Sequence, residues 1–258
     1  MNKYIKTFWN RRYLLYELVK KGVKLKYRRS YLGIIWSLLE PLLTTCVLTI
    51  VFGTLLGNHG KEFPMYILCG RLLYNFFSQS TKAAAKSIRA NSQMIRKVYV
   101  PKYLYPLSCV LYNYIIFLIS LLVLIALGIY CEIRPTWHIA EVIIPLLILP
   151  IFTYGVGMIL ATVTVFFRDM EYLWDVILML VMYTCAIFYY PDALLESGYA
   201  WILKMNPLFC IIQSFRNAIF GNAINMQMVI YALVISLVLL LVGNLMFYKK
   251  QDEFILHV

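Results

Sequence analysis

At 258 residues, 62% of them hydrophobic and only 14% charged, the chain lies far from the roughly 25% charged content of soluble domains, which excludes a water-soluble globular protein. Its formal charge of +12, from 24 Lys+Arg against 12 Asp+Glu, admits a nucleic acid, a membrane surface or an anionic cargo as partner. The cations flank apolar runs instead of lying on a soluble fold, so they read as membrane-topology signals and argue against nucleic acid.

Met1 to Thr7 leads into Arg11 and Arg12, without the apolar core and cleavage site of a signal peptide. Over residues 10–29, Leu14, Leu15, Leu18, Val19, Gly22, Val23 and Leu25 share one half of a helical wheel, with Glu17, Lys20, Lys21, Lys24 and Arg28 opposite. Lys26 alone intrudes on the apolar half. This predicts an amphipathic helix in the plane of the cytoplasmic headgroups, bounded by Tyr13, Tyr16 and Tyr27. The basic foot Lys24, Lys26, Arg28 and Arg29 passes directly into a first span over 32–57, where Glu40 is the one charged side chain. About 20 apolar residues cross the hydrocarbon core, and cationic flanks stay inside, so this span runs outward.

After the polar turn HGKEFP, residues 65–80 predict a second span, interrupted by Arg71, which belongs at an interface or in a wet cavity. Residues 81–103 hold Lys82, Lys86, Arg89, Arg96, Lys97 and Lys102 and no acid, a second cytoplasmic segment in which Ala83 to Ile95 favours helix. A third span is expected over 104–130 and a fourth over 142–167, with Pro145 and Pro150 bending or breaking its outer end and Gly155 and Gly157 permitting close helix contact. The mixed-charge turn FFRDMEYLWD precedes a short fifth span over 176–190. Between 191 and 227, the amphipathic DALLESGYAWILKM and the helix start Asn206-Pro207 predict a re-entrant or interfacial helix pair on the outer side, since about 14 residues are too few to cross. A sixth span follows over 228–248. This topology leaves 19 Lys+Arg inside and five outside, namely Lys61, Arg71, Arg134, Lys204 and Arg216, with both termini cytoplasmic.

The chemistry of other classes is thin. No P-loop run occurs, the cysteines at 46, 69, 109, 131, 185 and 210 form no CxxC pair, and His59, His138 and His257 are isolated, so no metal site is expected. Cys131 and Cys210 both fall near the outer face, where nothing demands that they pair. Asp169 and Asp175 are the carboxylates that a membrane-embedded lipid-phosphate enzyme would use, but a solvated turn explains so sparse a pair. Aromatics make up 16% of the chain and several lie inside spans: Trp36, Phe76, Phe77, Tyr112, Tyr114, Phe117, Tyr154 and Tyr183. Their faces suit a sliding sugar polymer and equally suit packing or lipid; with Glu40 they are candidate channel-lining groups. Arg28, Arg29, Arg96 and Lys97 at the cytoplasmic mouth suit the recruitment of a phosphate by charge-assisted bonds.

Four stretches in order, YRRSYLGIIWSLLEPLL, NSQMIRKVYVPKYLYP, FFRDM and MNPLFCIIQSFRNAIFG, resemble the membrane subunit of polysaccharide-exporting ABC transporters of the ABC-2 type, the group of O-antigen, capsule and teichoic-acid permeases. The resemblance covers nearly the whole chain. It implies an all-α transmembrane domain over 1–258 in the cytoplasmic (inner) membrane, a homodimer enclosing a channel, and two copies of a separate ATPase that binds ATP and Mg, leaving no cofactor to this chain. A lipid-linked glycan is the implied cargo. Residues 1–31 then form the interface helix, 81–103 a cytoplasmic gate and coupling element, and 191–227 the outer gate helices. Glu17, Lys20, Arg89, Arg168 and Asp169 fall at coupling positions, and Asn206, Pro207, Gln213 and Arg216 at the outer gate. A drug or lipid efflux permease of the same fold would share the spans and the ATPase, whereas an enzyme would turn over without any ATPase.

Overall fold

The computed structural model describes residues 12–28, 31–57, 60–97, 100–133 and 136–254. Among them, four helical segments are long and apolar enough to cross a membrane: Gly33–Leu55, Leu104–Tyr130, Trp137–Phe166 and Met226–Lys250. A helix satisfies its own backbone polar groups in lipid, and the chain is accordingly an all-α multi-pass membrane protein.

In chain order, α1 (Arg12–Tyr27) is the basic amphipathic helix, and α2 (Trp36–Leu56) follows a 3-10 turn at Gly33–Ile35. α3 (Phe63–Ala90) opens with Pro64 in its first turn and continues for 28 residues, about 42 Å at 1.5 Å per residue. The expected second span and the first part of the expected basic loop are thus one helix. Arg71, Asn75, Gln79, Lys82, Lys86 and Arg89 recur every three or four residues on it, forming one polar stripe, while the opposite face is buried. A break at Asn91 leads to α4 (Ser92–Lys97), then α5 (Leu104–Tyr130) and, after a 3-10 turn at Trp137–Val142, α6 (Ile143–Phe166).

Pro145 and Pro150 lie within α6 without interrupting it. Gly155 and Gly157 do permit close contact, as expected. A Cβ at Gly155 would lie 2.7 Å from the Leu240 backbone nitrogen, and one at Gly243 would lie 2.7 Å from the Gly155 carbonyl oxygen. The backbones of α6 and α11 (Met226–Lys250) therefore touch where glycine faces glycine.

α7 (Met170–Thr184) starts six residues before the expected fifth span and stops six short of Tyr190. Beyond it the backbone is irregular, and Ala186 takes a left-handed conformation at φ 47°. DALLESGYAWILKM is not one helix: α8 (Asp192–Leu195) and α9 (Ala200–Lys204) are single turns separated around Gly198. α10 (Pro207–Ile219) begins where the sequence indicates, because the Asn206 side chain accepts from the Leu208 and Phe209 amides at 3.0 and 3.4 Å and Pro207 occupies the first helical position. Cys131 and Cys210 are buried free thiols.

The main core joins α3, α5, α6 and α10. A second cluster gathers Ile88, Leu104, Met158, Val165 and Phe247 at the end of the bundle that carries Lys82 to Lys97, and Leu14, Leu15 and Leu18 of α1 pack on it. The apolar face of α1 is thus seated on protein. That end is called the basic end below.

Candidate functional site

The basic end is hollow. A cavity of about 250 Å³ lies between α1, α2, α3 and α5, lined among others by Lys26, Trp36, Glu40, Phe76, Gln79 and Asn113. Lys26, the cation that breaks the apolar half of the wheel, explains itself here. Its ammonium turns toward the bundle and donates to the side-chain oxygens of Gln79 at 2.5 Å and Asn113 at 3.3 Å. Burial lowers the Lys26 pKa, and the charge of Glu40 opposes that shift. Three of the expected lining groups, Trp36, Glu40 and Phe76, meet in this cavity.

The other aromatics divide. Phe76, Tyr114 and Phe117 form one ring cluster with centroids 5.3 to 5.9 Å apart, and the Tyr114 hydroxyl donates to the Leu146 carbonyl at 3.0 Å. Phe117 reaches the cavity, whereas Tyr114 is not among its lining residues. Phe77 stacks on Phe152 at 5.2 Å. Tyr112 covers Gly22 of α1, Tyr154 packs between the two cores, and Tyr183 is exposed.

Of the expected recruiting cations, Arg28, just past the end of α1, lines a cleft that among the described residues it shares with α1 side chains including Glu17 and Lys20. Arg96 and Lys97 are exposed at the end of α4, and Arg29 lies outside the described residues. Arg89 is already engaged: it pairs with Glu171 of α7, to which Lys86 also reaches at 3.6 Å. Lys82 meets Asp175 at 2.7 Å. The polar stripe of α3 is thereby fastened to the first turns of α7, and Asp175 is committed to a lysine. Arg168 and Asp169 are exposed in the turn that precedes α7. No group of three metal-ligating side chains occurs among the described residues.

At the far end Arg216 is 1% exposed. No acid meets it among the described residues; backbone oxygens do. Its Nε and Nη2 donate to the Tyr66 carbonyl at 3.2 and 3.1 Å, and its Nη1 to the Ala186 carbonyl at 3.0 Å. The guanidinium also lies 3.5 Å over the Tyr66 ring. Tyr66 in turn donates its hydroxyl to the Ala186 and Tyr189 carbonyls at 3.1 and 3.0 Å. The irregular stretch after α7, whose carbonyls have no helical partners, is closed by one arginine and one tyrosine. Gly70 makes room, since a Cβ there would lie 2.5 Å from Nη2 of Arg216. Asn206 ties the start of α10 to the same stretch, donating to the Thr184 hydroxyl at 3.0 Å. Gln213 donates to Asn217 at 3.2 Å.

A bundle of apolar helices, with a basic amphipathic helix seated beside a half-open cavity, defines a polytopic membrane protein of the permease class. The chain belongs to the ABC-2 type transporter family, whose profile matches residues 13–220. It is 29% identical over 245 residues to an O-antigen export system permease protein RfbA of Klebsiella pneumoniae, covering 93% of each chain. It is 28% identical to the protein of the same name from Myxococcus xanthus, covering 98% of each. The polysialic acid transport protein KpsM of Escherichia coli is 24% identical over 92% of both. All three relatives are named as transport or export proteins.

Proposed function

We propose that the chain is the permease subunit of an ABC exporter that carries a lipid-linked surface polysaccharide across the cytoplasmic membrane. The observation that carries this reading is end-to-end similarity to proteins named for O-antigen export, with 93% to 98% of each chain aligned. The permease works as a homodimer, and two copies of a separate ATPase bind ATP and Mg. Two further spans, 65–80 within α3 and 176–190 from α7 onward, bring the total to six, with both termini cytoplasmic and 191–227 re-entrant on the outer side. The basic end is then cytoplasmic, as the positive-inside rule requires.

Arg28, Arg29, Arg96 and Lys97 recruit the phosphate of the lipid carrier, and Trp36, Glu40, Phe76, Tyr112, Tyr114, Tyr154 and Tyr183 line or border the glycan's path. Glu17, Lys20, Arg89, Arg168 and Asp169 couple the ATPase to the bundle, a role supported for Arg89 by its ion pair to α7. Asn206, Pro207, Gln213 and Arg216 frame the outer gate. ATP hydrolysis by the permease and its ATPase in lipid nanodiscs tests the reading: purified lipid-linked glycan should stimulate it. Stimulation by small amphiphiles alone, or failure of the two proteins to associate, would refute it. Charge reversal at Arg28 and Arg96 should reduce export and leave the dimer intact.

A further inference from the structure

A second, larger cleft of about 690 Å³ opens at the basic end between α1, α3 and α5. Lys21, Lys26, Lys82 and Lys86 line it, and among the described residues no acidic side chain does. Asp175 and Glu171, the partners of Lys82 and Lys86, lie outside that lining and face a separate small pocket with Trp174. The cleft also receives Tyr105, which is 1% exposed and whose buried hydroxyl has no hydrogen-bond partner. A buried phenol without an acceptor is rare, and four ammonium groups supply only donors. Lys82 and Lys86 already have carboxylate acceptors in Asp175 and Glu171, and Lys26 has two neutral amide oxygens, so what the cleft lacks is an anionic acceptor for Lys21, Lys26 and the Tyr105 hydroxyl.

Lys26, Gln79 and Asn113 line both this cleft and the cavity beside Trp36. Lys26, held by Gln79 and Asn113, therefore sits where the two spaces adjoin. A phosphate oxygen is a stronger acceptor for an ammonium than a neutral amide oxygen. An anion in the cleft would draw Lys26 away from Gln79 and Asn113. The half-open cavity beside Trp36, with Lys26 opposed by Glu40, is close to charge balance; its side-chain amides and the Trp36 and Phe76 rings suit a neutral, hydroxyl-bearing ring. At about 250 Å³ it is smaller than the 300–1,000 Å³ typical of drug-sized ligands, a size for one such ring.

We infer that the cleft and cavity together hold the glycosyl phosphate end of the substrate, the phosphate on Lys21, Lys26 and Tyr105 and the adjoining sugar beside Trp36. The inference rests on the exporter reading and locates its substrate head. Titration of the purified permease in nanodiscs with farnesyl phosphate, farnesol and phosphatidylglycerol, read by native mass spectrometry, tests it without the ATPase. Farnesyl phosphate should bind at least about tenfold more tightly than farnesol, the worth of one charge-assisted bond. The double variant Lys21→Ala, Lys26→Gln should lose that preference, and Tyr105→Phe should weaken it severalfold, both with unchanged melting temperature and farnesol binding. Equal binding of farnesyl phosphate and farnesol, or a double variant that binds as wild type, would overturn the site. Phosphatidylglycerol binding as tightly, with the same sensitivity, would overturn the assignment to substrate in favour of a bulk-lipid site. Phosphate binding that persists while glycan fails to stimulate the ATPase would leave the site standing and remove the exporter reading.

Discussion

Two cations turned into the protein, Lys26 at the basic end and Arg216 at the far end, are held in opposite ways. Arg216 is buried among backbone carbonyls of α3 and of the stretch after α7, stacks on Tyr66, and fits the space that Gly70 leaves. Lys26 is held by two side-chain amides at the edge of two cavities. Backbone partners cannot rotate away, so the first arrangement fixes a shape. Side-chain partners next to empty volume can be exchanged for a ligand, so the second arrangement is suited to a passage. The molecule thus pairs a locked far end with an exchangeable basic end.

The largest effect is expected from breaking the lock. Arg216→Ala takes one donor from each of the Tyr66 and Ala186 carbonyls and empties a packed site, and should destabilise the fold by about 3 kcal/mol or more in thermal melting. Arg216→Lys should recover only part of this, because an ammonium lacks the planar fork that serves two carbonyl directions at once. Next comes Gly155→Val, which drives a side chain into the α11 backbone and should lower stability by about 1–3 kcal/mol. Glu171→Gln removes the charge that gathers Arg89 and Lys86. Its stability effect should be about 1 kcal/mol, with ATP hydrolysis less responsive to glycan although the ATPase still binds. The smallest stability effect belongs to Lys26→Met, within about 0.5 kcal/mol, accompanied by a severalfold loss of export. Were Lys26→Met to destabilise as much as Arg216→Ala, the contrast between the two ends would fail.

The sequence made the exchangeable end easier to read than the locked one. Four of the six expected spans coincide with long apolar helices, and the misfit of Lys26 on the wheel marked a residue that the cavity later explained. The full length of α3 was obscured because its polar stripe, read linearly, looks like a span followed by a basic loop. The early end of α7 was hidden by an apolar run that continues through Phe188 after the helix stops. Arg216 was visible as an oddity, but its partners are carbonyls 30 and 150 residues away, and a backbone oxygen carries no signature in the residue that bears it. Asn206-Pro207 was legible because a cap acts over two or three residues.

Native cysteines allow the contrast itself to be measured. Cys109 lines the cleft at the basic end, while Cys69 and Cys185 are 0% exposed beside the Arg216 lock. The decisive measurement is the rate of maleimide labelling at each, by mass spectrometry, in nanodiscs with the ATPase, with and without lipid-linked glycan and ATP. The account predicts that labelling of Cys109 responds to glycan while Cys69 and Cys185 stay unreactive throughout. Labelling of Cys69 or Cys185 during turnover, with Cys109 indifferent to glycan, would contradict it.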